Sequence, residues 1–586
     1  MLRRERFAGS LAGVAMGAIA LTIVVDPAFP QAPIDRRDVK PMALAPAPPA
    51  PQELDAAGAR AAAAAPARLL RHVEGLDSAP RAFDDGDVTR QLGDPFGKLL
   101  AGAGTRLPRT LADVLKLVDT LGTGPDRLAV QTIFLVSESG QITLAEAPTL
   151  ARRARAVVVR LNSTAREAVF VAPSMRTDGD GVLEVMGWDG TKKLFNYYER
   201  RFAEPDTPIW LWKGDSSHAW DAQTRNGACF RCHRNGEPVM KELRVPWQNW
   251  HTQSASIKPE SIPPDSPLKT DPLFAIHPPS QFLQPADQFE KVVEQWIGNL
   301  NRSRIARYKS GESSIRNLLE PLFRTTTINL KPSIDPSAAT GGVIRVPWTF
   351  FYNTIALHDV GELPCDASTA FGQADPSLSR AAYNDALVRL NFRLEGPGGY
   401  HKQPGDTHFA FPVLEPARTD NDLIFNLVKE QVISRRFVAT LLLVDAPNAV
   451  YSPIRQAMFA LVPNWTIHEI GPAGLETRLA DLFRDLHAAG GQPAPVHSGL
   501  SQFLALWNKP AASWEADACA RLEGYLKNVG ERWRAGDHLP YFRLLGARRD
   551  QFLASDHETL KESDLLLPKS DASPDLMMHE DGTVRP

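Results

Sequence analysis

The spacing of apolar residues changes period several times along the chain. Arg3, Arg4 and Arg6 precede an apolar run from Phe7 to Val25. A basic head before an apolar stretch of this length reads as an export or anchoring segment. Ala28 has Asp26 two positions earlier and Ala32 is followed by Pro33, so no convincing small-x-small cleavage site follows. An uncleaved anchor is therefore expected, with a cleaved signal as the close alternative. The arginines would stay cytoplasmic and the rest would lie outside. From Ala45 to Pro51 the chain contains only Ala and Pro, which reads as an extended tether.

Helical spacing then appears at Leu111, Val114, Leu115 and Val118. Between Leu128 and Lys213 the period shortens to that of strands. Ala129–Val136, Ala156–Leu161 and Ile209–Trp212 are β-rich runs, and Val182–Trp188 and Lys193–Tyr198 flank the hairpin signal Asp189-Gly190. This predicts a small antiparallel β-domain or an α+β module of the sensory-domain kind. Its aromatics, Trp188, Phe195, Tyr197, Tyr198, Trp210 and Trp212, are expected in its core.

Ser256 to Gln284 is Pro-rich and reads as a long loop. Asp287–Leu300 is an amphipathic helix with Phe289, Val292, Val293, Trp296 and Leu300 on one face. Arg302, Arg304, Arg307 and Lys309 follow; they could neutralise the carboxylates of a cofactor, with a solvated helix end as the plainer reading. Val343–Tyr352 reads as strand and Leu378–Leu390 as helix. Thr419-Asp420-Asn421-Asp422 reads as a capping box opening a helix to about Ile433. Phe437–Val444 is a buried strand or a helix. The Gly/Pro-rich loop Gly396–His408 carries Tyr400, His401 and His408, and His358-Asp359 lies near Cys365. These polar residues are candidates for a pocket, with surface turns as the plainer reading. Trp514, Ala518, Leu522, Tyr525, Val529 and Trp533 form a helical stripe, and from Ser563 a polar tail is expected to fray.

The expected fold class is therefore multidomain α+β. Its segments are an anchor or signal over 1–26, a tether over 27–67 and a helical lead-in with β-rich domain over 68–213. A motif segment covers 214–285, a mixed α/β to helical domain 286–562 and a tail 563–586. At 586 residues, 43% hydrophobic and 23% charged with formal net charge −3, the composition is globular. No strong charge sign argues for a nucleic-acid partner.

Four Cys and 14 His sharpen the picture. Cys229-Phe230-Arg231-Cys232-His233 is C-x-x-C-H, the spacing at which c-type haem is attached. Two thiols add to the two vinyl groups of the porphyrin, and two intervening residues let one turn present both sulfurs. The adjacent imidazole becomes an axial iron ligand. With this composition, roughly 0.0007 accidental matches are expected. A thioredoxin-like pair would want a strand-to-helix setting and leaves His233 without a role. A zinc site needs a fourth ligand, and a Cys229–Cys232 disulfide is strained. Cys365 and Cys519 remain; in an oxidising compartment they could pair, and two buried thiols are the alternative.

Over these five residues the chain resembles c-type cytochromes. The resemblance implies one covalent haem c held by Cys229 and Cys232, with His233 as proximal iron ligand. For the distal position, Met240 is seven residues beyond His233, and at roughly 3.5 Å per residue its reach of about 25 Å is barely enough. His251, eighteen residues on within Trp247-Gln248-Asn249-Trp250-His251, reaches easily. A remote ligand or an open sixth position is the other expectation.

The chain is thus expected to be an exported, membrane-tethered monohaem cytochrome with an electron-transfer role. Its redox partner would be a protein or a small oxidant, and its place the periplasmic face of a bacterial inner membrane, or the soluble periplasm if the leader is cleaved. The alternative is a haem c-dependent enzyme with an open iron position. In plan the chain is similar to rubber oxygenases, haem peroxidases and fatty-acid cis/trans isomerases. A haem-based sensor is a third expectation. No nucleophile pattern, acid/base pair or phosphate loop is evident.

Overall fold

The protein is described here by a computed structural model. It describes residues 69–103, 107–121, 127–137, 154–164, 166–173, 183–204, 207–225, 227–231, 233–238, 286–326, 328–331, 343–391, 393–396, 399–400, 413–416, 418–472, 474–555, 568–569 and 575–586. The anchor and tether, Cys232, Met240, His251, His401, His408 and the side chain of Tyr400 lie outside the described residues. Among the described residues no helix is long and apolar enough to cross a membrane.

The architecture is mixed α and β, organised on one eight-stranded sheet. Its strands are β1 (Leu69–Arg71), β2 (Arg81–Ala82), β3 (Val130–Ser137), β4 (Ala154–Leu161), β5 (Ala168–Pro173), β6 (Leu183–Asp189), β7 (Leu194–Glu204) and β8 (Thr207–Asp215). Their spatial order is β2-β1-β8-β7-β6-β5-β4-β3. From β3 to β8 each strand is antiparallel to the next, and β1 joins β8 in parallel. The sheet is larger than the sequence pattern predicts. The short run of β5 escapes the pattern, and the expected helical lead-in contributes β1 and β2. The Asp189-Gly190 signal does form a hairpin: the Asp189 carboxylate accepts from Thr191 and Lys192 N–H at 2.9 Å.

Both faces of the sheet are covered, as the alternation of side chains along a strand allows. Tyr198, Trp210 and Trp212 sit on one face with Phe96, beneath the helices α1 (Asp85–Gln91), α2 (Pro95–Gly102) and α3 (Leu111–Asp119). Their neighbours Phe195 and Tyr197 sit on the opposite face. There they pack with Trp188, Phe230 and the stripe Val293, Trp296, Ile297 and Leu300 of α4 (Ala286–Lys309). Burying each such side chain is worth about 1.5–3 kcal/mol. α4 joins the two regions: this stripe is buried against the sheet, while its Ile305 and Tyr308 are buried in the C-terminal core. It also runs past Leu300 to Lys309, so Arg304 is a buried helical residue, 4% exposed, rather than part of a solvated end.

The C-terminal half is mainly helical around a large apolar core. It includes α5 (Arg316–Phe323), α6 (Arg418–Lys429) and α7 (Ala511–Arg534), and the full stripe from Trp514 to Trp533 on α7 is buried. Phe437–Val444 falls largely within the helix Arg435–Leu442. Several local expectations are corrected. Val343–Tyr352 is strand only over Val343–Arg345, because Pro347 starts a 3-10 turn at Trp348–Phe350. Ser377–Ser379 is a strand, and Ser379 caps the helix Arg380–Arg389. α6 begins at Arg418, before the expected capping box, and Asp420 accepts from Thr326 N–H at 2.8 Å. The last residues do not fray. Met577–Met578 pairs with Val584–Arg585, the Met578 carbonyl accepts from Asn448 Nδ2 at 2.9 Å, and Gly582 accepts from the Tyr541 hydroxyl at 3.1 Å. Cys365 and Cys519 are joined by a disulfide with an S–S distance of 2.10 Å, across 154 residues of sequence.

Candidate functional site

The C-x-x-C-H segment leaves the last strand of the sheet and folds back against it. Where β8 ends, Tyr197 pairs with Gly214 and Tyr198 with Trp212, so Lys213 is an extra residue in a bulge. A bulge re-aims the strand that carries it. Gly214 takes φ +116°, and a Cβ there would meet the His218 ring at 3.1 Å. Asp215 then caps the 3-10 turn Ser216–Ala219, its side chain accepting from Ser217 N–H at 3.0 Å. His218 and Ser217 hold the Asp215 carboxyl, against the upward push of burial, down at about 2.

A second 3-10 turn, Ala228–Arg231, carries Cys229. Ala228 N–H donates to the Glu74 carboxylate at 2.8 Å, which fixes the start of the turn to the sheet's edge. His233 N–H donates to the Cys229 carbonyl at 2.8 Å and closes one helical turn across the motif. Cys229 and His233 are both partly exposed. Phe230, between them, is 1% exposed; its ring meets Tyr197 edge-on at 5.1 Å. The motif therefore points its apolar residue into the sheet and leaves its sulfur and imidazole at the surface of that contact. The Tyr197 ring stands 5.3 Å from the His233 ring, and its hydroxyl is buried beside Ser216.

The chain returns at once to hold the imidazole. His233 Nδ1 lies 2.7 Å from the Glu237 carbonyl oxygen. A carbonyl can only accept, so Nδ1 carries the proton, and in the neutral imidazole Nε2 is the nitrogen with metal-ligand chemistry. Such a bond orients a metal-bound imidazole and raises its basicity. The return depends on Gly236, whose φ is +69° and whose missing Cβ leaves room for the Ser216 carbonyl, 2.6 Å from where it would stand. Ser216 Oγ donates to the Gly236 carbonyl at 2.6 Å, and Trp220 Nε1 donates to the Asn235 carbonyl at 3.0 Å. Asn235-Gly236 is a turn dipeptide in the sequence, and it was the available signal for this fold-back.

Beneath it lies a buried polar cluster that the sequence does not announce. Glu237 is 0% exposed. Burial pushes its carboxyl up to about 8, and Asp420 pushes the same way against the Thr419 hydroxyl and Arg304 guanidinium. Thr326 ties Asn235 to α6, accepting from Asn235 Nδ2 at 2.9 Å and donating through its hydroxyl to Asp420.

Of the residues the sequence singles out, Cys229 and His233 are thus brought into one turn. His358 is a half-buried histidine with both ring nitrogens engaged: Nδ1 meets the Leu363 carbonyl at 3.0 Å and Nε2 the Tyr352 hydroxyl at 2.9 Å. Among the described residues no three His, Cys, Asp or Glu side chains converge on a metal position. A porphyrin requires no such cluster, because it supplies four ligands itself, and the oriented Nε2 of His233 fits the protein's share of the coordination. No protein family, curated protein or solved structure matches the chain.

Proposed function

We propose that the chain is a monohaem c-type cytochrome, exported and tethered through its N-terminal segment, with an electron-transfer role. The observation that carries the reading is the closed turn from Cys229 to His233, with His233 Nδ1 held by the Glu237 carbonyl. Haem c, when bound, supplies one-electron chemistry at its iron. The residues present set the conditions for it. Cys229 and Cys232 would hold the porphyrin covalently and His233 would be the proximal ligand. Phe230 and Tyr197 exclude water from the inner side of the turn. The Cys365–Cys519 disulfide supports export, since such bonds persist in oxidising compartments.

A haem c-dependent enzyme with an open distal position is the second reading. It is favoured by the size of the chain, since an electron carrier needs only a fraction of 586 residues. Optical and EPR spectra of the purified ferric protein separate the two. Low-spin iron that ignores added cyanide supports the carrier, with His251→Ala and Met240→Ala locating the sixth ligand. High-spin iron that binds cyanide overturns it in favour of the enzyme. A chain that carries no porphyrin after expression with the cytochrome-maturation machinery overturns both.

A further inference from the structure

Against the fold-back that orients His233 lies a small open pocket with a cavity volume of about 20 Å3. Four arginines line it: Arg225 and Arg234 from the motif segment, Arg304 from α4 and Arg324 from the end of α5. Glu320 is its one carboxylate among the described residues. Arg324 Nε donates to Glu320 Oε1 at 2.6 Å. Although burial pushes the Glu320 carboxyl up, Arg324, Arg234 and Arg225 together hold it below the usual range. Glu320 is therefore neutralised from within the pocket, and the wall keeps a positive excess.

Arg304 shows that the excess is held away from water. Its guanidinium stacks over the Trp220 ring at 5.3 Å and donates to the Asn317 carbonyl at 3.0 Å and to Asn301 Oδ1 at 3.3 Å. Burial pulls its charge down, and the neighbouring Glu237, Asp420 and Glu320 oppose that pull. Converging guanidiniums repel one another, and a ligand with two negative oxygens satisfies them in pairs.

We infer that the pocket formed by Arg225, Arg234, Arg304 and Arg324 binds a small oxyanion, a carboxylate or a phosphate-like group. The inference rests on the pocket and not on the haem reading. The oxyanion has two sources: a dissolved anion, or a carboxylate carried by the porphyrin attached next door.

The test is a titration of the whole chain with inorganic phosphate and with acetate, followed by thermal unfolding and tryptophan fluorescence. Trp220, under the Arg304 guanidinium, is the reporter, and Trp220→Phe identifies its signal. The chain made without haem should bind phosphate saturably, and Arg225→Gln and Arg324→Gln should each weaken binding at least tenfold. If the haem-loaded chain binds equally well, the ligand is a dissolved anion. If only the haem-free chain binds, the porphyrin carboxylate fills the pocket. No saturable binding by either form overturns the proposal, provided the haem-free chain unfolds cooperatively. If it does not, the haem-loaded chain decides. Phosphate binding weakened by Arg225→Gln, or a Soret circular-dichroism spectrum altered by Arg225→Gln and Arg324→Gln, supports the site. No phosphate effect together with unaltered spectra in both variants overturns it.

Discussion

Two of the places where the described residues bury arginines use them differently. In the C-terminal core, Arg455 donates to the carbonyls of Val444 at 2.9 Å, Asn448 at 2.8 Å and Ala449 at 3.1 Å. Arg548 donates to the carbonyls of Phe350 and, at 2.6 Å, Pro447. Burial pulls both guanidiniums down to about 10, against the opposing charge of Asp445. These are staples that finish the hydrogen bonding of loops the helices leave open. Beside the motif, Arg304 has two close acceptors and shares a cavity wall with three more arginines. The first kind is enclosed by carbonyls, whereas Arg304 has the carboxyl groups of Glu237, Asp420 and Glu320 near it and a place in a cavity wall.

The sharpest way to break the comparison is Arg455→Met. It leaves several carbonyls and the buried Asp445 without their partner, so a loss of about 3–5 kcal/mol is expected by denaturant unfolding. A loss below about 1 kcal/mol would mean that the carbonyl shell is not what Arg455 contributes.

Next in size is the staple of the same region. Cys365→Ser opens a loop spanning 154 residues and should cost about 2–5 kcal/mol, with the oxidised and reduced wild type differing by the same amount. Equal unfolding midpoints with and without reductant would count against it.

Around the motif the expected effect is on pH dependence. Glu237 titrates near 8 when folded and near 4.5 when unfolded. Between those values the folded chain holds a proton that the unfolded chain has lost, so stability is fully present below pH 4.5 and falls as pH rises to about 8. Asp94 and Asp445, both raised by burial, add to the same slope. Glu237→Gln should flatten it by on the order of a few kcal/mol between pH 5 and 8.5. An unchanged slope would remove Glu237 as its source.

The smallest stability effect belongs to the cavity. Arg225→Gln, at a partly exposed position, should move stability by less than about 1 kcal/mol while abolishing phosphate binding. A large loss of stability would place Arg225 with the staples instead.

These contrasts also mark what the sequence could show. Alternation put Tyr197 and Tyr198 on opposite faces, Asp189-Gly190 marked its hairpin, and the stripes of α4 and α7 were legible because burial repeats at helical spacing. Cys229 and His233 were legible because they stand at the spacing that thioether attachment of a haem would require. Arg304 was not, since it looks solvated until α5 and α6 fold over it. Thr419-Asp420-Asn421-Asp422 has the letters of a cap, yet Asp420 spends its carboxylate on Thr326 across 94 residues. The partner of His233 was hidden for a related reason: the atom that matters is the backbone oxygen of Glu237, which any residue could supply. The docked C-terminal hairpin depends on Asn448 and Tyr541, far away in sequence.

One measurement bears on the central claim most directly. The chain is made in a host competent for cytochrome maturation, denatured, washed with acid-acetone and examined by pyridine haemochrome spectrum and intact mass. A chain that stays coloured with one porphyrin per polypeptide, and loses it in Cys229→Ala with Cys232→Ala, is the predicted result. A colourless polypeptide of unmodified mass would contradict the account.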